Sequence, residues 1–245
     1  MSGNNGFAAV ILAAGQGTRM KSDMAKVLHK ICGKPMIRYV VDAAGSIGPK
    51  RIILVVGHQA EAVMKEMDGE NVEFALQKER LGTGHAVLQA GSLLEGFVGT
   101  IMVLTGDTPL LRPKTLAGLL ETHLASGASA TVLTAVLEDA TGYGRVIKDT
   151  QGHFLKIVEH KDASDDEKKV NEINSGIFCF ESRDLFSALA RVGRENAQGE
   201  YYLPDVMSIL RKDGRKTVVH LCPDRQEVMG INDVDQLKEA ERLMN

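Results

Sequence analysis

Cysteine is scarce in this 245-residue sequence: Cys32, Cys179 and Cys222 are an odd number, far apart and without CxxC spacing. That arithmetic suggests neither a disulfide framework nor a zinc site, and a reducing compartment is the expected home. Long apolar runs are missing as well. The longest early one, Phe7 to Ala14, falls short of the roughly 20 residues a membrane span requires, and no basic segment precedes it as a secretory signal would demand. A soluble, cytoplasmic chain with no membrane partner is therefore expected. Nor is there a long basic run: Lys plus Arg count 29 against 32 Asp plus Glu, a net charge of −3, so no nucleic-acid partner is expected and any anionic ligand must be held by a local site. Internal repeats, low-complexity tracts and evident linkers are absent. Nothing sets an oligomeric state.

What is present is a rhythm. Phe7 to Ala14 is a short, wholly apolar run ended by glycines, as expected of a strand buried on both faces of a parallel sheet. Similar runs recur at 51–56, 72–76 and 101–105, separated by helix-like stretches at 36–46, 60–67, 83–94 and 113–126. Strands alternating with helices predict an α/β, doubly wound, Rossmann-like and mostly parallel sheet, with ligands at the carboxyl ends of the strands. After Ala128 the rhythm changes. Strand-like segments at 130–137, 144–148, 154–159 and 173–181 lack long helices between them and predict a small inserted antiparallel lobe. Residues 161–172, dense in charge and turn formers, read as a mobile surface loop. Helical periodicity returns at 185–190, 203–211 and 234–244. One domain over 1–245 is expected, and about 70–75% of the unfolded chain's surface would be buried at this length.

The first strand runs into Leu12-Ala13-Ala14-Gly15-Gln16-Gly17-Thr18-Arg19-Met20, whose small residues let backbone N–H groups approach a phosphate. A dinucleotide fingerprint needs a third glycine where Met20 stands and an acid at the end of the second strand, where Gly57 and His58 stand. No GxxxxGK occurs either. A plain tight turn uses the same glycines, but Arg19 within the loop and Lys26 just beyond it supply two cations suited to a triphosphate. Either is otherwise a solvated surface charge. Further on, Thr105-Gly106-Asp107 ends the fourth strand and puts a carboxylate where such sheets hold a metal. Mg2+ typically needs only one or two carboxylates beside substrate phosphates. A strand-end aspartate capping the turn at Pro109 is the alternative.

The loop, together with Lys26-Val27-Leu28-His29, resembles the signature of nucleotidyltransferases that activate sugar 1-phosphates, with Ala25 where that family usually has proline. The resemblance implies the nucleotide-diphospho-sugar transferase fold. It also implies backbone contacts from Leu12, Ala13, Ala14 and Gly15 to the nucleotide, and catalytic contacts from Arg19 and Lys26 to the phosphates. Gln77 with Leu81-Gly82-Thr83-Gly84-His85-Ala86 resembles the family's LGTGHA segment, which implies that Gln77 and Gly82 read uracil and that Thr83 is among the nucleotide-binding residues. A glutamine amide matches the edge of uracil with one donor and one acceptor, and a strand-end glutamine bonded to backbone is its bland counterpart. Gly106-Asp107-Thr108-Pro109-Leu110 and Gly230-Ile231-Asn232 match the family's two metal-binding motifs, implying Mg2+ held by Asp107 and Asn232. Asn232 is equally placed to cap a helix beginning near Val234. Within the antiparallel lobe, the segments around Tyr143, Gly144, Glu159 and Asn174, with Asn196 to Tyr202, resemble the N-acetylglucosamine-1-phosphate uridylyltransferase branch and imply that these four residues hold the sugar. The nucleotide-binding part then covers about 7–127, the sugar-binding part about 128–232 and a final helix about 233–245.

The implied reaction joins UTP and N-acetylglucosamine 1-phosphate into UDP-N-acetylglucosamine with release of pyrophosphate. Its nucleophile is a sugar phosphate with a second pKa near 6, already mostly a dianion at neutral pH, so no general base and no Ser-His-Asp arrangement is required. Positioning and charge neutralisation are left to the protein. Transfer to another hexose 1-phosphate, and non-catalytic sensing of a nucleotide sugar, are the rival readings. No tandem hexapeptide repeats, which form an acetyltransferase domain in members of the family, occur in these residues, so no acetyltransferase activity is expected of them.

Overall fold

The structure is a computed structural model that describes residues 6–244; residues 1–5 and 245, included in the expected domain and final helix, lie outside the described residues. Strand β1 (Phe7–Ala13) is the axis of the sheet. It pairs in parallel with β4 (Arg51–Val56) on one side and β6 (Thr100–Thr105) on the other, and β5 (Glu73–Leu76) continues beyond β4. Between β1 and β4 come the two-residue strands β2 (Lys30–Ile31) and β3 (Lys34–Pro35) and helix α1 (Met36–Gly45). Helices α2 (Ala60–Glu66) and α3 (Thr83–Gln89) lead into β5 and β6, and α4 (Pro113–Ser126) follows β6. The parallel half is the doubly wound sheet its apolar runs predict.

Alternation along β1 explains why the sheet is covered on both faces. Ala9 and Ile11 pack with Val40 and Val41 of α1, whereas Ala8 and Val10 pack with Ala86 and Val87 of α3. A strand of Phe, Ala, Val, Ile and Leu suits no other environment, because each fully buried Val, Leu or Ile side chain contributes roughly 1.5–3 kcal/mol that a solvated face would forfeit.

The second half is antiparallel as expected, but it is built into the same sheet. β7 (Ala130–Val136) and the ten-residue β10 (Glu172–Glu181) run side by side, and β10 also pairs antiparallel with β6. Only β8 (Arg145–Lys148) and β9 (Phe154–Val158) project as a hairpin, attached to β10 through Arg145 opposite Ile173. An edge strand, β11 (Thr217–Leu221), pairs in parallel with β7 and was not expected. Residues 161–172 also depart from expectation. They contain the short helix α5 (Asp165–Lys168), closed by a capping box in which Ser164 and Glu167 satisfy each other's backbone amides. Lys156 bonds the same Glu167 and, with Ser164, holds its carboxyl down at about 2. The charge density that suggested mobility is a paired turn. Helices α6 (Ser182–Leu189) and α7 (Asp205–Lys212) cover the α3 face, and α8 (Val234–Met244) packs on β2 through Ile31, Met36, Ile231 and Ala240. No helix among the described residues is long and apolar enough to cross a membrane.

Candidate functional site

The chain leaves β1 toward β4 and β5 on one side and returns through β6 on the other, so the carboxyl ends of β1 and β6 face a crevice between diverging connections. The glycine loop begins there. Its two neighbours pin its start: Leu12 carbonyl accepts from Gly106 N–H at 2.9 Å, and Ala14 carbonyl from His58 N–H at 3.2 Å. Buried Met20 anchors the far end through a single 3-10 turn, Thr18–Met20. Gly15, Gln16, Thr18 and Arg19 stay exposed between these anchors.

Lys26 enters from a second 3-10 turn, Lys26–Leu28, flanked by buried Ala25 and Val27. Its ammonium bonds Asp107 Oδ2 and, at 2.9 Å, Asn232 Oδ1. Asp107 follows the last residues of β6, and its carbonyl accepts from Ile231 N–H at 2.9 Å, which ties the two loops together. The amide of Asn232 is oriented by its own nitrogen, which donates to Gly230 carbonyl at 2.9 Å and leaves the oxygen for the lysine. Asn232 therefore does not cap α8. That task falls to Asp233, whose Oδ1 accepts from Gln236 N–H at 2.9 Å. A carboxylate oxygen and an amide oxygen converge on one cation, a donor set of hard oxygens.

Beside this triad lies a cavity of about 270 Å³ bordered by Leu12, Ala13, Ala14, Gly15, Lys26, Gln77, Gly82, Thr83 and Asp107. Gln77 is buried, and its nitrogen bonds Gly82 carbonyl at 3.2 Å and His85 Nδ1 at 3.1 Å, so its oxygen is the group left for a donor such as an imide N–H. Gly82 precedes α3 with φ 107°, and a Cβ there would stand 2.6 Å from Tyr201 carbonyl oxygen. Only glycine fits both the backbone angle and the approach.

A second cavity, about 240 Å³, shares Leu12, Thr83, Thr105 and Glu200 with the first and is bordered by Tyr143, Gly144, Glu159 and Asn174. Taken together the two suit a nucleotide-sized ligand, for which pockets run to roughly 300–1,000 Å³. The β-bulge in β10 after Asn174, with Gly176 at φ 79°, turns that strand at the cavity wall. Asn174 Oδ1 accepts from Gly176 N–H at 2.9 Å, and Asn174 also bonds Glu159. A Cβ on Gly144 would sit 2.8 Å from Glu159 Oε1, so the glycine is what admits this carboxylate. Burial, reinforced by Asp205 and Asp162, pushes the Glu159 carboxyl up to about 6 against the lowering bond from Asn174. Burial also raises the Tyr143 phenol, with the Asp107 charge adding to it, and Gly230 N–H donates to its oxygen. Tyr143 thereby links the loop bordering the second cavity to the Asp107 and Asn232 loops.

Fourteen of the fifteen residues singled out from sequence thus border one continuous cleft or, as with Asn232, bond into it. Arg19 is the exception: it is exposed and borders neither cavity, although its charge is felt at the Tyr143 hydroxyl. Two charged residues that border the cleft were missed. Arg80 reaches Gln16 Oε1 at 2.9 Å across the mouth of the first cavity, and Glu200 stands where the cavities meet. Both are polar residues of connecting segments that long-range bonds bring together: Tyr201 N–H donates to Leu81 carbonyl and Gly84 N–H to Tyr201 carbonyl, both at 2.8 Å, and Leu203 N–H donates to Thr83 Oγ1 at 3.0 Å.

Comparison with known proteins adds an independent line. The profile of the MobA-like NTP transferase domain family matches residues 9–216. The bifunctional protein GlmU of Geobacillus thermodenitrificans is 52% identical over 236 residues, 96% of this chain and 51% of its own length. That of Brevibacillus brevis is 54% identical over 236 residues, again 96% and 51%, and that of Geobacter metallireducens is 50% identical over 238 residues, 97% and 50%. The chain spans about half the length of the curated relatives it matches.

Proposed function

Because the chain belongs to the MobA-like NTP transferase family, we propose that it is a uridylyltransferase joining UTP and N-acetylglucosamine 1-phosphate into UDP-N-acetylglucosamine and pyrophosphate. The observation that carries the reading is a pair of cavities that meet at Leu12, Thr83, Thr105 and Glu200, the first of them bordered by Lys26 and Asp107, so that an anionic ligand from each side would meet near a cation held by two hard oxygens. Residues of about 7–127 hold the nucleotide and those of about 128–232 the sugar.

Each role follows from the groups available. The Gly15 loop and Lys26 receive the phosphates of UTP, and Arg19 meets them from the exposed rim. Gln77 Oε1 accepts from the uracil imide, and Gly82 and Thr83 hold the rest of the nucleoside. Glu159, ionised at neutral pH, accepts from sugar hydroxyls, while Gly144 leaves room for it and Asn174 and Tyr143 complete the wall. The sugar phosphate is mostly dianionic near pH 7, so these residues have no proton to remove from it. Their task is to hold it in line with the α-phosphate and to keep water out.

Mg2+ is the proposed cofactor, and the oxygen donors of Asp107 and Asn232 fit it. Among the described residues no group of three or more His, Cys, Asp or Glu could hold a metal. An aspartate and an asparagine oxygen already drawn onto one cation suit an ion that keeps waters and phosphate oxygens as its other ligands. The ion would neutralise charge on the reacting phosphates. Lys26, no longer needed between the two oxygens, then has its donors for phosphate. Pyrophosphate release, measured across UTP and other nucleoside triphosphates and across several sugar 1-phosphates, tests the proposal. UTP with N-acetylglucosamine 1-phosphate should be the preferred pair, and a clear preference for another nucleotide or sugar would overturn it.

A further inference from the structure

Gln59 departs from the ordinary in two respects. Its backbone is left-handed, φ 51° and ψ 42°, a region that residues other than Gly, Asn and Asp seldom occupy. It also stands at the N-cap of α2 without capping it. The side chain is committed elsewhere. Its Oε1 accepts from Ala25 N–H at 2.9 Å and its Nε2 donates to Asp23 carbonyl at 2.5 Å, so one carboxamide closes the segment on both sides of Met24.

The partner explains the need. Ala25 has no exposed surface, and its N–H would be a costly donor to leave unpaired there. Its φ of −53° lies within the range a proline ring imposes, about −65 ± 15°. Proline, which the resembled family usually carries here, would hold this angle and bring no N–H to satisfy. Alanine does neither, and Gln59 makes good both deficits from another loop. The next residue is Lys26, whose ammonium must span to Asp107 and Asn232.

We infer that Gln59 is a positioning residue: by clasping Asp23 and Ala25 it fixes where the Lys26 ammonium lies, without touching substrate. The inference rests on the reading of Lys26 as a phosphate-binding group. In the full chain, Gln59→Ala should lower kcat by on the order of tenfold, given that misplacing a reacting group by about 1 Å costs up to 100-fold. KM for the sugar phosphate should stay within about twofold, because the second cavity does not involve this loop. Adding Ala25→Pro should restore kcat, since proline supplies the angle and removes the donor. Gln59→Glu, of nearly the same shape, keeps the acceptor for Ala25 and loses the donor to Asp23, so it should fall in between and serves if the alanine variant folds poorly. Unchanged kcat in Gln59→Ala, or no restoration by Ala25→Pro, overturns the inference. Amide hydrogen exchange across residues 21–27 reads the clasp apart from the reaction. Faster exchange in Gln59→Ala, reversed by Ala25→Pro, supports the clasp even in a chain that fails to turn over UTP, and unchanged exchange refutes it.

Discussion

Replacing Glu159 with glutamine should make the protein more stable and less able to hold its sugar substrate. The carboxyl is raised from an ordinary 4.5 to about 6, chiefly by burial. A group whose pKa is higher in the folded state favours folding while it is protonated, and that contribution is lost as pH rises through the folded value. Glu159 therefore weighs against the fold above about pH 6, by the difference of about 1.5 units at roughly 1.4 kcal/mol each, or about 2 kcal/mol. Glutamine keeps the shape and the acceptor for Asn174 and carries no charge. Its variant should melt higher at pH 8 by about 4–8 °C, at roughly 2–4 °C per kcal/mol for a chain of this size, and the gain should fade between pH 6 and 4.5. On the role proposed for Glu159, the same change removes a charge-assisted bond to sugar hydroxyls, worth roughly 1.5–3 kcal/mol, so KM for the sugar phosphate should rise about tenfold or more with KM for UTP little altered. Melting curves across pH 4–8 and initial rates at pH 8 are the assays. A variant that melts lower at pH 8, or whose gain is the same at every pH, would refute the reasoning.

Two further substitutions probe the nucleotide side. Gly82→Ala must place a Cβ at φ 107° and 2.6 Å from Tyr201 carbonyl oxygen; a loss of about 1–3 kcal/mol of stability is expected from backbone strain of this kind, with KM for UTP rising more than KM for the sugar phosphate, readable by denaturant titration and kinetics. Lys26→Met removes the cation shared by Asp107 and Asn232 and should lower kcat/KM for UTP by about 10²–10³, the typical cost of one charge-stabilising donor, while circular dichroism stays native.

The parallel half of the fold was legible because its strands are buried on both faces and carry their own signature; β1, β4 and β6 begin or end within a residue of the apolar runs. β11 left no such mark. Its residues are half-buried or exposed at a sheet edge, and only pairing with β7, some eighty residues earlier, makes Thr217–Leu221 a strand. The same long-range pairing hid the continuity of β6, β10 and β7, since periodicity reports a strand but not its neighbours. At the site, side chains leaving strand ends, such as Asp107 and Gln77, could be placed from topology alone. Residues whose position depends on loop packing could not: Asn232 was indistinguishable from a helix cap until Asp233 was seen to take that role. Gln59 and Arg80 act through bonds to other loops that no local pattern records.

The proposed reaction directs a sugar phosphate onto the α-phosphate of UTP beside Asp107. Following phosphorus label from UTP through a single turnover with N-acetylglucosamine 1-phosphate and Mg2+ tests it most directly. Label at the α position should pass to the sugar nucleotide and label at the β and γ positions to pyrophosphate, and Asp107→Asn should slow both by about 100-fold or more with a native melting curve. Transfer of γ label to the sugar phosphate, or full transfer in Asp107→Asn, would contradict it.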